Sequence, residues 1–137
     1  MPVYRCETAF IILDDEAGRP GVRVDLIYLT DDPYAVRIVF LSEDHPGDSI
    51  AWTVSREQLR QGLVEPVGIG DVYCGPIAQP EGNMLLTLKN DETAQDFWVP
   101  AVTLARFLDR TYALVPPGDE SRFLDLDSTI AKLLSGI

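Results

Sequence analysis

The sequence predicts an α+β domain made of two repeated antiparallel sheet-plus-helix units, four strands and a helix followed by three strands and two helices. Short stretches in which apolar and polar residues alternate are separated by clusters of Gly, Pro and Asp, the pattern of strands joined by tight turns. Twice, such a stretch runs directly into an apolar pattern of helical period. Those two junctions also align with each other. Matching Trp52 to Phe97 pairs Val54 with Val99, Leu59 with Leu104 and Leu63 with Leu108, each 45 positions apart.

Val3–Leu13 reads as a long first strand, with Val3, Ala9, Ile11 and Leu13 on one face and Tyr4, Cys6, Phe10 and Ile12 on the other. Asp14–Gly21 is turn-rich. In Val22–Leu29 the residues Val22, Val24, Leu26 and Tyr28 alternate against Arg23 and Asp25, so one face meets the core. Asp31-Asp32-Pro33 turns the chain into Tyr34–Leu41, apolar on most of both faces. Ser42–Ser49, with Pro46-Gly47, is a polar turn before the half-buried pattern of Ile50, Trp52 and Val54. Ser55 and Gln58 then form an S-x-x-Q capping box that starts a short helix ending near Gly62.

Pro66–Pro76 reads as one glycine-interrupted strand, with Gly68, Gly70 and Gly75 marking bulges or a close backbone approach. Met84–Lys89 and Asp96–Val99 are the next two strands. A helix begins at Pro100, where the missing amide costs nothing, with Ala101, Leu104, Ala105 and Leu108 as its apolar stripe. Val115-Pro116-Pro117-Gly118 breaks the chain. A last helix follows, with Asp127 as N-cap, Ile130, Leu133 and Leu134 on its apolar side, and Gly136 as its stop.

A chain of 137 residues fits one domain over residues 1–137. A formal net charge of −11 has the wrong sign for gripping a phosphate backbone, and the cations are scattered along the chain (Arg5, Arg19, Arg23, Arg37). No secretory leader and no membrane span are visible, which points to the cytoplasm and to reduced, small, packed Cys6 and Cys74.

The search for catalytic chemistry returns little. His45, beside Asp44 in a Pro-Gly turn, reads as a solvated loop residue rather than a general base. Gly47-Asp48-Ser49-Ile50 looks like the G-D-S block of a serine hydrolase family, but no D-x-x-H follows to supply the base. Gly68-Ile69-Gly70 lacks the third glycine of a dinucleotide loop. Two distant cysteines and one histidine make no zinc cage, and Asp125-Leu126-Asp127 lacks the glycine and glutamate of a calcium loop. No enzymatic activity, metal or cofactor is expected. Trp52 and Phe97 are assigned to the core. Trp98, on the opposite strand face from Phe97, is a candidate for a subunit or partner interface.

Several blocks together carry a family resemblance. They are Asp32-Pro33-Tyr34-Ala35-Val36, Trp52 with Arg56 and Gly62-Leu63, Gly68-x-Gly70-Asp71-Val72, Phe107-Leu108-x-Arg110-Thr111, Val115-Pro116-Pro117-Gly118-x-Glu120 and Leu124-Asp125-Leu126-Asp127. In this order and spacing the sequence resembles the SsgA-like sporulation and cell division proteins, nearest their SsgB branch. The resemblance implies a non-enzymatic factor that is brought to future septum sites by SsgA, recruits FtsZ and promotes its polymerisation and tethering at the membrane. It also implies a Whirly-like fold, homo-trimers, and a cytoplasmic location at the division septum with indirect membrane association. The alternative is a Whirly-like single-stranded nucleic-acid-binding module, but the lysine-bearing binding motif of those proteins has no counterpart here. Within the matched V-P-P-G block, Gly118 is expected to set the angle at which the last helix leaves the body.

Overall fold

The computed structural model of the chain describes residues 3–13, 18–42 and 47–124. The elements are β1 (Val3–Leu13), β2 (Gly21–Leu29), β3 (Ala35–Leu41), β4 (Ser49–Ser55), α1 (Arg56–Gly62), β5 (Val67–Ile69), β6 (Val72–Pro76), β7 (Asn83–Lys89), β8 (Ala94–Pro100) and α2 (Ala101–Leu114), then a 3-10 turn at Glu120–Phe123. The eight strands form one antiparallel sheet in the order β4-β3-β2-β1-β8-β7-β6-β5. Each half is a meander, and β1 joins the halves by pairing with β8.

The sheet is strongly curled. Phe40 on β3 and Phe97 on β8 are separated in the sheet by β2 and β1, yet their rings stack 4.9 Å apart, with Phe10 edge-on to both. Only a sheet folded over on itself brings those strands face to face. The enclosed core includes Phe10, Val24, Leu26, Tyr28, Ile38 and Leu86. The two helices pack against one end, where Leu59 of α1 and Leu104, Phe107 and Leu108 of α2 are buried.

Three local expectations need correction. The stretch from Pro66 to Pro76 is not one strand but the hairpin of β5 and β6, turned by Gly70-Asp71 between the paired Ile69 and Val72. Gly70 has φ +57° and is the only positive-φ residue of the two, the arrangement of a type II′ turn, which requires glycine first. The second half therefore contributes four strands rather than three. Pro100 closes β8 and serves as the N-cap position of α2 instead of its first residue; the Ala101 amide donates to the Gly82 carbonyl. The capping box is only half formed. The Gln58 amide donates to Ser55 Oγ at 3.1 Å, but the Gln58 side chain does not return. It is buried under the hairpin and donates to the carbonyls of Val72 (2.8 Å) and Val67 (3.4 Å), whose need for a donor is greater than that of an exposed cap. The expected last helix from Asp127 lies outside the described residues.

Gly62 explains why α1 can lie so close to β6. A Cβ there would sit 2.3 Å from the Cys74 Cβ and 3.3 Å from the Cys74 carbonyl carbon, so only a hydrogen fits. The glycine acts here through close approach, since its backbone is helical and the C-cap is Leu63.

Candidate functional site

Arg56 opens α1, immediately after the capping Ser55, and its position is unusual. A cation in the first turn faces the positive end of its own helix dipole. The side chain resolves this by leaving its helix. It is 2% exposed and runs to the C-terminal end of α2, where Nη1 donates to the carbonyls of Val115 (2.9 Å) and Thr111 (3.2 Å). Nη1 also lies 3.5 Å from Thr111 Oγ1, which donates to the Leu108 carbonyl. Arg56 thus gives a donor to the carbonyl of the C-cap Val115 and a second donor to the Thr111 carbonyl, which also accepts the Val115 amide, at the negative end of that helix.

Two aromatic rings and one carboxylate complete the surroundings. The guanidinium carbon is 4.4 Å from the Tyr112 ring centroid and 5.1 Å from that of Tyr28. Glu120 Oε1 approaches Nη2 to 3.7 Å and accepts the Gly118 amide. Burial pushes the Tyr28 hydroxyl up to about 12, despite the opposing pull of Arg56, and it donates to the Pro33 carbonyl at 2.9 Å. Burial likewise raises Tyr112. The backbone amide of Arg56 donates to the Tyr34 carbonyl. Segments far apart in sequence, around Pro33-Tyr34, Arg56, Thr111 and Val115–Glu120, are thereby drawn to one point.

Gly118 lies on the exposed rim of this arrangement with φ +91° and no atom within 4 Å of a would-be Cβ. Its glycine is required by backbone conformation, not by lack of room. Trp98 is half-buried on the outward face of β8, opposite in direction to the buried Phe97, with the Arg19 guanidinium 4.7 Å above its ring. The structure does not bring Gly118 and Trp98 together: one sits at the helix-covered end, the other on the convex face of the sheet.

At the other end of the curl is a groove of about 800 Å³, floored by Ile12, Val22, Phe40, Trp52, Leu88 and Phe97. Trp52 packs against the core, as expected, but is only half-buried, because it also lines this groove, which no described residue covers. Ser49 lines the same groove beside Asp48. His45 lies outside the described residues, and among those described no group of three or more His, Cys, Asp or Glu side chains is arranged to hold a metal. No described helix is long and apolar enough to cross a membrane.

Sequence reasoning passed over Arg56, Thr111 and Tyr112 as a unit. The available signal was the arginine placed against its own helix dipole, directly behind a capping serine.

Comparison with known proteins agrees with this layout. The family profile "Streptomyces sporulation and cell division protein, SsgA" matches residues 22–120, the span that holds every member of the Arg56 cluster. The chain is 40% identical over 131 residues to the sporulation-specific cell division protein SsgB of Salinispora tropica, covering 95% of this chain and 92% of that one. It is 36% identical over 128 residues to SsgB of Streptomyces coelicolor, covering 91% and 90%. Among solved structures it resembles the SsgA-like sporulation-specific cell division protein of Thermobifida fusca, with a TM-score of 0.85 and 30% identity over 96% of this chain and 95% of that one. A structure reported with SsgB mutations that correlate with longitudinal cell division in sporulating S. coelicolor matches with a TM-score of 0.81 and 31% identity, covering 90% and 96%. The curled sheet and its two packed helices are thus those of the SsgA family of sporulation and cell division proteins, to which this chain belongs.

Proposed function

We propose that this chain is a non-enzymatic adaptor of sporulation septation. It marks septum sites, recruits FtsZ, and promotes FtsZ polymerisation and tethering at the membrane. It works as a homo-oligomer, a trimer in the Whirly-like arrangement, with SsgA or another SsgA-like protein as a second partner and only indirect membrane association. A duplicated four-strand-and-helix unit fits that arrangement, since β4 with α1 and β8 with α2 are laid out at the same 45-residue offset.

One observation carries the reading. Three of the blocks that mark the family, Asp32–Val36, Phe107–Thr111 and Val115–Glu120, meet at Arg56, and there the guanidinium is engaged in fixing the 115–120 loop, with no described group at that point poised for proton transfer. A site built this way presents a shaped surface; it does not transform a substrate. Co-sedimentation with FtsZ polymers tests it: the chain is expected in the pellet, with increased polymer yield. Unchanged yield and an empty pellet fraction would remove the proposal.

A further inference from the structure

We propose, relying on the adaptor reading above only for the existence of a partner, that the outer face of β2 and β3 around Arg23 and Arg37 takes an extended segment of a partner protein in which acidic and apolar side chains alternate along one face, at every second residue. The arginines that are scattered along the sequence are gathered by the register of the sheet. Arg5 and Arg37 are both paired with Ile27, from β1 and β3 respectively, so they flank it at a separation of about 10 Å, two strand spacings. Arg23 follows on the same face of β2, two residues beyond Asp25.

These arginines are not equivalent. Arg5 is committed, donating from Nε and Nη2 to Asp25 Oδ2 at 3.2 and 2.7 Å. Arg23 and Arg37 are exposed and form no ion pair or hydrogen bond among the described residues. With Glu7 and Asp25 the patch holds three cations against two carboxylates, in a chain whose formal net charge is −11. At physiological salt the Debye length is about 8 Å, so an incoming segment senses this patch and not the net charge.

The face is also more apolar than a solvent-facing sheet surface needs to be. Ile27 and Val39 point outward and are half-buried, and Asp25 is only 6% exposed although it too points outward. Asp25 Oδ1 has no hydrogen-bond partner, an orphaned acceptor at the centre of the patch. That carboxylate, with Glu7 beside it, sets the chemistry of the occupant. A phosphate backbone would bring its charges onto both carboxylates. An extended peptide repeats its side chains on one face about every 7 Å, and can set acids over Arg23 and Arg37 and an apolar group over Ile27 and Val39.

The test is an amide-resolved NMR titration of the full chain with three probes: a Glu-Ser-Leu-Ser repeat peptide, which sets Glu and Leu in turn on one face, a Lys-Ser-Leu-Ser peptide of equal length, and a single-stranded oligonucleotide of equal charge. The Glu-Ser-Leu-Ser peptide is expected to shift amides around Arg23, Ile27, Arg37 and Val39 and to leave the groove residues unmoved. Arg23→Glu combined with Arg37→Glu should weaken that binding roughly tenfold or more at an unchanged melting temperature. If the charge reversal unfolds the chain, Arg23→Gln with Arg37→Gln serves in its place, with a smaller loss. Absence of shifts, shifts confined to the groove, unaltered affinity in the variants, or tighter binding of the basic peptide or the oligonucleotide would each overturn the assignment. FtsZ co-sedimentation is scored separately. Peptide shifts without FtsZ in the pellet keep the surface and remove FtsZ, whereas FtsZ binding untouched by the variants keeps the adaptor and removes the surface.

Discussion

The two ends of the curled sheet are finished in opposite ways. The strands β4 and β8 run into α1 and α2 at one end, and there a buried cation, two tyrosines, a carboxylate and the α2 carbonyls satisfy one another. At the opposite end β4 and β8 begin, nothing covers the sheet among the described residues, and Phe40, Trp52 and Phe97 line an open groove. Polar groups are buried where helices close the sheet, and apolar groups stay half-wet where nothing does. The closed end is therefore tied together by directional contacts that fail sharply when one member is lost, while the open end rests on non-directional packing that tolerates change.

The sharpest way to break this contrast is Arg56→Met. Removing one member of a buried charged cluster leaves Glu120 without its cation and the Val115 carbonyl without its donor, and about 3 kcal/mol or more of stability should disappear in chemical denaturation. A loss no larger than that of Trp52→Ala at the open end would show that the arginine is not the tie we describe. Alkaline pH attacks the same end without mutation. Burial holds the Cys74 thiol up at about 12 against an ordinary 9.0, and Tyr28 at about 12 against 10.0. Both stay protonated in the folded chain while the unfolded chain ionises them, so unfolding releases protons and stability falls as pH climbs from about 9 towards 12. The expected loss is about 3 kcal/mol near pH 11, read from denaturation midpoints at stepped pH, and Cys74→Ser should remove part of the slope.

Gly62→Ala comes next. Its new methyl meets Cys74 backbone as well as side chain, so α1 must lift from β6, at a cost of about 2 kcal/mol in denaturation experiments. Gly118→Val is the mildest for the fold, about 1 kcal/mol of backbone strain at φ +91° with no clash. It should nevertheless shift septum placement, because it alters the loop whose amide Glu120 holds; normal septa in a strain making only Gly118→Val would count against a role for that loop.

How much of this was legible in the sequence follows from the range of the interactions. Val3–Leu13 and the stretch through Val24, Leu26 and Tyr28 were readable because alternation is a local property and these strands have one wet and one dry face. The 66–76 stretch was misread because a two-residue Gly-Asp turn inside a short apolar run looks the same as a bulge. The capping role of Gln58 was assigned from spacing alone, and the carbonyls that claim it belong to strands nine and fourteen residues away. The contacts of Arg56 were missed for the same reason at greater distance, since its acceptors lie 55 and 59 positions on. The basic outer face was missed because charges that are scattered along a chain can still share a row of a sheet.

A final consequence follows from the way β1 bridges the halves. Among the described residues it pairs with β2 through nine residue pairs but with β8 through three, Ile11 to Leu13 against Trp98 to Asp96. The molecule is thus two palms stitched along a short hem. When thermal motion loads it, that hem should slacken before either palm frays, so the Ile11 and Leu13 amides should trade their hydrogens for deuterium ahead of those in the middle of β2, whereas the Ile12 amide, held by the Pro20 carbonyl, should not join them.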